Sequence, residues 1–307
     1  MSAPGRLVPL LLALVVTCAP ESGLFAADAK QRRFASMEEA TTALVDAMKA
    51  DNRKALLEIL GPEGLTLVDS GDAVADRNAR RQFAAEYDRA HRLEGGGGRV
   101  LLHVGPDDFP FPIPLVPEGP DWRFDTRAGK EEILTRRIGR NELHAIQVCL
   151  AYVDAQREYY SEDRNADGLR EYAQRFASTP GKRDGLFWET KAGETPSPLG
   201  PLVAQARGDG YGGARQATPV AYQGYYYRIL TAQGPDAPDG AYDYLAHGRM
   251  IGGFALVAFP AQYGVSGVMT FIVNHEGVVY QRDLGGNTAA IARGLKLFNP
   301  DGDWKKT

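Results

Sequence analysis

Cysteine is nearly missing from this chain: 307 residues hold two, Cys18 and Cys149. That count excludes a disulfide-framed scaffold and any zinc centre built on a cysteine cluster. Histidine is scarce too. The five, at positions 91, 103, 144, 247 and 275, fall one to an element, with no i,i+4 pair and no H-E-x-x-H. Neither sign of charge dominates: 35 Lys and Arg against 39 Asp and Glu leave a net −4, with the signs interleaved. A protein that neutralises phosphates carries a basic face or tail, so nucleic acid is not an expected partner. After the first thirty residues no run is apolar over the about 20 residues that a membrane-spanning helix needs. What remains is a globular composition, 44% apolar and 9% aromatic, sized for one large domain or two ordinary ones.

The amino terminus has the pattern of a secretory signal. Arg6 supplies the positive n-region, Leu7 to Val16 is a short apolar run, and Ala27-Asp28-Ala29 is an A-x-A cleavage site. Residues 1–29 are therefore set apart as a signal peptide and the rest is expected to be periplasmic or secreted. A lipid-anchored variant through Cys18 is the alternative. Removal of the signal leaves Cys149 alone, mid-helix among Ile146, Leu150 and Val153, where it reads as a small buried hydrophobe.

From Met37 the apolar spacing is helical, through Ala40, Leu44, Ala47 and Met48, and a second helix begins near Ala55 and stops at Gly61-Pro62. Asp76 is the expected N-cap of a third helix running to Leu93, ended by four consecutive glycines. Short extended pieces follow at Val100 to Val104, Phe109 to Val116 and Trp122 to Phe124. Prolines 110, 112 and 114 keep the middle piece on a sheet edge or outside the ladder. This order predicts an α+β domain of NTF2-like or cystatin-like outline over 30–139. Arg136, Arg137 and Arg140 read as a solvated helix face with i,i+4 pairing, anion binding being the alternative.

Gly139 marks the expected kink and boundary. Asn141 to Tyr160 is a more apolar amphipathic helix with an inner stripe of Leu143, Ile146, Leu150 and Val153. Pro- and Gly-rich turns occupy 179–213. Strands are expected at Tyr225 to Ala232, Gly253 to Phe259 and Val268 to Val273, with a hairpin through Asn274–Gly277 into Val278 to Asp283. One helix on an antiparallel β-meander is the predicted second domain, 140–296, and 297–307 is left as a tail.

Two resemblances rest on particular stretches. "NELHAIQVCLAYVDAQREYY", "GYYYRILTAQG" and "FALVAFPAQYGVSGVMTFIVNHEGVVYQRDLG" resemble the globular part of type IV pilin-like and pseudopilin proteins, without their hydrophobic N-terminal helix half. That resemblance implies a protein-contact role but not filament packing. "SMEEATTALVDAMKADN", "LVDSGDAVADR", "PFPIPLV", "WRFDTRAGKEEILTRRIGRNE" and "STPGKRDGLFW" are similar to a bacterial exported family catalogued as domain of unknown function 2950. It implies export and brings no catalytic residues.

No catalytic constellation emerges. Gly264-Val265-Ser266-Gly267 lacks the last glycine of a nucleophile elbow and reads as a turn. The glycine-rich 208–213 has no strand-to-helix context and reads as loop. Asp107-Asp108 are paired carboxylates or, more simply, a turn. His275-Glu276 reads as a solvated turn. One chemical motif survives: Asp163, Asn165, Asp167 and Glu171 occupy positions 1, 3, 5 and 9 of an EF-hand-type loop with Gly168 at 6. The position-12 glutamate is replaced by Gln174, so calcium there is expected from Asp163, Asn165, Asp167, the Leu169 carbonyl and Glu171. The functional expectation is an exported, non-catalytic envelope binding or assembly module, its partner an envelope protein or small ligand. The alternative is a periplasmic small-ligand binder or enzyme with a pocket in the first domain. Converging Asp, His or Arg side chains in such a pocket favour the alternative; an exposed patch of Tyr222, Tyr225, Tyr226 and Tyr227 favours the assembly module.

Overall fold

The computed structural model describes residues 31–164, 166–191, 193–212 and 220–307; residues 1–29, expected to be a signal peptide, and Asn165 lie outside them. Local capping explains where the first helices begin. In α1 (Met37–Lys49) the Ser36 hydroxyl accepts the Glu39 N–H, while the Glu39 carboxylate reaches back to the Ala35 N–H. In α2 (Arg53–Leu60) the Asn52 side chain accepts the Ala55 N–H. A 3₁₀ turn, Pro62–Gly64, leads into the single turn α3 (Leu65–Val68).

α4 (Ala73–Arg89) is capped by Asp72, four residues before the expected cap. Asp72 Oδ1 accepts the N–H groups of Val74 and Ala75, so Asp76 lies in the first turn rather than at the N-cap. The helix also stops short of Leu93. His91 to Gly96 become β1 (His91–Gly96), paired with β2 (Arg99–Val104) across Gly97 and Gly98, whose φ values are 60° and 75°. Only glycine takes two successive left-handed residues at no steric cost, so the glycine run makes a hairpin turn instead of a mere helix stop. β3 (Phe109–Pro110), β4 (Leu115–Glu118) and β5 (Asp121–Phe124) complete an antiparallel sheet in the order β1-β2-β4-β5, with β3 on β2. Pro112 and Pro114 fall between strands, where a missing N–H costs no ladder bond.

α5 (Thr126–Tyr160) runs 35 residues, about 52 Å at 1.5 Å per residue, without interruption at Gly139. After it come α6 (Gly200–Gly208), β6 (Tyr225–Leu230), β7 (Ala232–Gln233), β8 (Tyr242–Asp243), β9 (Leu245–Ala246) and β10 (Arg249–Met250). The chain then forms β11 (Ala255–Pro260), β12 (Met269–Asn274), β13 (Val279–Asp283), α7 (Thr288–Gly294) and β14 (Lys305–Lys306). The main sheet is antiparallel throughout, in the order β14-β13-β12-β11-β6, and α5 lies against β11, β12 and β13. The described residues thus make a mixed α+β fold of seven α-helices and several antiparallel sheets. α6 falls inside the stretch expected to be turns; none of its side chains is fully buried, and only Leu202 and Val203 pack in part against the second cluster described below.

Buried side chains form two clusters. One holds Phe34, Leu44, Leu56, Ile59, Leu102 and Phe124; the other holds Tyr152, Tyr225, Tyr244, Phe254, Phe271 and Phe298. Phe298 and Trp304 bring the stretch expected to be a tail into the second cluster, and β14 adds to its sheet edge. The inner stripe of α5 is rotated from the expected one: Leu143 and Leu150 are 63% and 43% exposed, while Ala145, Cys149, Tyr152 and Gln156 are buried. Small side chains let the helix sit close to the sheet. The Gln156 amide meets the backbone of Ala173 twice, donating to its carbonyl (2.8 Å) and accepting its N–H (2.8 Å), so its burial leaves no polar atom stranded.

Two glycines of α5 differ sharply. A Cβ at Gly129 would stand 2.3 Å from the Pro112 carbonyl oxygen, whereas one at Gly139 would meet nothing within 4 Å. Denaturant unfolding of Gly129→Ala is expected to show a loss of about 1–3 kcal/mol from overpacking. Gly139→Ala is expected to gain roughly 0.5–1 kcal/mol, as for any open helix interior. Equal effects at both positions would contradict this packing of α5.

Candidate functional site

A cavity of about 620 Å³ opens in the first half, bounded by α4, α5 and the chain between β2 and β4. Its size is within the range of small-molecule sites, about 300–1,000 Å³. Helical periodicity builds two of the walls. On α4, Asp76, Ala79, Arg80, Phe83 and Glu86 share a face; on α5, Ile133, Arg136, Arg137 and Arg140 recur at i, i+3, i+4 and i+7. The third wall is Val104, Phe109, Phe111 and Ile113, with Leu56 and Leu60 of α2 behind it. Pro112 and Pro114 keep the stretch that carries Phe111 and Ile113 outside the named strands, and the bare Gly129 lets α5 close on it.

The charged groups fall into bound and available ones. Arg80 is nearly buried; its Nε and Nη2 meet Asp51 Oδ1 at 2.7 and 2.6 Å and its Nη1 donates to the Val68 carbonyl at 3.0 Å. Burial works against the Asp51 charge, but the hydrogen bonds from Arg77 and Arg80 outweigh it and hold that carboxyl below its usual value. Glu86 pairs with Arg89 at 3.0 Å. Arg136 donates from Nε to Glu132 at 2.6 Å and lies over the Phe109 ring, 4.7 Å from its centroid. Arg137 donates to two carbonyls, Thr66 and Leu67, at 2.7 Å each, and burial lowers its pKa, with Asp76 opposing. Arg140 is exposed and has no ion-pair partner among the described residues. Asp76 accepts the Ser70 N–H at 2.9 Å; burial raises its pKa, against the pull of that hydrogen bond and of Arg137 and Arg80.

Of the three helix-face arginines Arg136 makes the i,i+4 pair, and all three line the cavity. Asp107 lines it as well, while Asp108 turns away to Arg92 and His103, so the two carboxylates are not a pair. His275 is half-buried rather than solvated, edge-on to Tyr244 and Phe254, and burial lowers its pKa. Cys149 is fully buried and its thiol is pushed up to about 12, which keeps it protonated and unreactive. Ser266 is buried in the 262–267 turn, its hydroxyl accepting the Gln262 N–H at 2.9 Å. Sequence reasoning missed Asp76 and Phe111 as cavity residues, because only the long-range packing of α4, α5 and the proline-rich wall brings them together.

The expected calcium residues lie on the loop after α5. Asp163 accepts the Gly168 N–H at 2.8 Å, and Asp167 accepts the Leu169 N–H at 3.1 Å. Asp167 also pairs with Arg249 at 2.6 Å, and Glu171 meets the same guanidinium at 3.3 Å; Asn165 lies outside the described residues. Among the described residues no group of three or more His, Cys, Asp or Glu is placed to hold a metal ion. Arg249 supplies positive charge at this loop, so calcium entering it would have to compete with that guanidinium. Thermal melts in millimolar calcium against chelator are expected to show a larger upward shift for Arg249→Ala than for the parent; equal shifts would contradict that competition.

Asp76 gives a pH prediction with a definite sign. Its folded pKa is raised above the ordinary 3.8, so the proton stabilises the fold fully below that value and the benefit is lost as pH rises through the folded pKa. Asp76→Asn keeps an acceptor for Ser70 and removes the buried charge. Thermal melts are expected to place it at or above the parent at neutral pH, with the advantage shrinking as pH falls. A parent that outlasts the variant at neutral pH and not at acid pH would reverse the sign.

Among the described residues no helix is long and apolar enough to cross a membrane. Neither the curated proteins nor the solved structures give a match to this sequence. The family described as "Protein of unknown function (DUF2950)" matches residues 31–307, and the chain belongs to that family.

Proposed function

We propose that the chain is an exported binding module whose ligand is a small molecule held in the cavity between α4 and α5. One observation carries the reading: Asp76, Arg80, Arg136, Arg137 and Arg140 converge on an apolar recess built by Phe83, Phe111, Ile113 and Ile133. An apolar recess with a few directed polar groups is the usual form of a ligand site. The assembly reading needs an exposed tyrosine patch, and Tyr225 is fully buried while Tyr222, Tyr226 and Tyr227 are half-buried. In this proposal residues 30–139 are the NTF2-like or cystatin-like binding unit. Residues 140–296 are a pilin-like frame that shares α5 with it. The sequence pattern of 1–29 supports delivery to the periplasm or outside the cell. No catalytic group is assigned.

The test is dye binding. N-phenylnaphthylamine, a neutral apolar fluorophore, is expected to brighten on titration with the purified protein and to do so about tenfold less well with Ala79→Trp. Ala79 lies on an exposed part of the cavity lining, so a tryptophan there fills space without displacing a core residue. Equal brightening with both proteins would contradict the cavity as the binding site.

A further inference from the structure

The charge on the cavity wall says more about the ligand than the volume does. Arg80 is matched by Asp51, Glu86 by Arg89, and Arg136 by Glu132. That leaves Arg137 and Arg140 against Asp76 and Asp107. Asp76 stands on α4, not on the α5 wall, and its carboxylate accepts the Ser70 N–H. Asp107 is exposed in the turn before β3. The wall made by α5 is therefore electropositive. Its donors are also well disposed: Arg136 uses only Nε on Glu132 and is steadied over Phe109, which leaves both Nη atoms for another acceptor. Arg140 stands one helical turn further along the same face with all its N–H groups available. A guanidinium fork of this kind suits a planar or tetrahedral oxyanion better than a neutral hydroxyl. Beside the two guanidiniums the lining is apolar, through Phe83, Phe111, Ile113 and Ile133.

We infer that the ligand is a free amphipathic anion, with one oxyanion head group on Arg136 and Arg140 and an apolar body against Phe83, Phe111 and Ile133. This rests on the cavity being a binding site and specifies what enters it. A carboxylate, sulfonate or phosphate head meets the same donors, so the shared chemistry is a single anionic head on one apolar chain.

The experiment displaces N-phenylnaphthylamine from the purified protein with dodecanoate, dodecanol and dodecyltrimethylammonium, the two ionic compounds below their micelle concentrations and dodecanol below its solubility limit. A purely apolar recess ranks dodecanol first, because its head group is the cheapest to desolvate. The inference predicts dodecanoate ahead of dodecanol by about tenfold, the worth of one charge-assisted hydrogen bond. Raised salt should shrink that ratio at the exposed arginines. Arg136→Gln with Arg140→Gln is expected to bring the two ligands level while the dye still binds. Arg140→Gln alone, which breaks no ion pair, should lose part of the preference, and Arg293→Gln on α7 should lose none. Dodecanol or the ammonium compound binding best, with dye binding intact, overturns the anion and leaves the cavity reading standing. No dye or amphiphile binding to the parent overturns both. Co-sedimentation with phosphatidylglycerol vesicles that the double variant abolishes would place the anion in a bilayer and overturn the free ligand.

Discussion

A single helix has to satisfy two cores at once, and that constraint on α5 governs the rest. Its first half closes on the proline-rich wall at Gly129 and presents the arginine face. Its second half buries Ala145, Cys149, Tyr152 and Gln156 against the five-stranded sheet. A rigid helix cannot rotate one half without the other, since each residue is fixed at about 100° from the next. The angle is set near the middle. Asn141 donates to the Ser266 carbonyl at 2.9 Å, and the Glu142 carboxylate accepts the N–H groups of Val268 and Met269 at 2.9 Å each. Those contacts tie the helix to the turn before β12, and so determine where Arg136, Arg137 and Arg140 point.

The opposite wall is anchored on the second half as well. Asp72 caps α4 with one carboxylate oxygen; with the other it accepts the Tyr211 hydroxyl at 2.8 Å and the Gly224 N–H at 2.9 Å. A buried carboxylate is tolerated when its lone pairs are filled, and here four donors fill them. Asn78, one turn and a half along α4, donates to the Asp209 carbonyl at 2.7 Å. Both helical walls of the cavity are thus referenced to the C-terminal half. That half is the frame against which α4 and α5 keep their separation, which explains why a recess persists where two amphipathic helices would otherwise collapse together.

Much of this was legible in the residues. Helical spacing from Met37, the strands around Phe254–Phe259 and Met269–Val273, the hairpin at Asn274–Gly277 and the long helix after Asp125 all follow from local pattern. The failures have physical causes. Asp72 and Asp76 are both plausible caps by type, and the choice is made by Tyr211 and Gly224, far away in sequence. Leu143 and Leu150 outrank Ala145 and Cys149 in hydrophobicity, yet close helix–sheet approach favours the smaller pair. The glycines at 95–98 carry no sign of whether they end a helix or turn a hairpin until β2 is there to pair. The arginine cluster could be read as a face, but the residues facing it belong to α4 and to the wall around Phe111.

The most direct test of the central claim is native mass spectrometry of the protein purified gently from its producing cells. The account predicts a one-to-one adduct of small-molecule mass on the parent chain that is absent from Ala79→Trp. A parent chain carrying no adduct, or the same adduct on the filled variant, would contradict it.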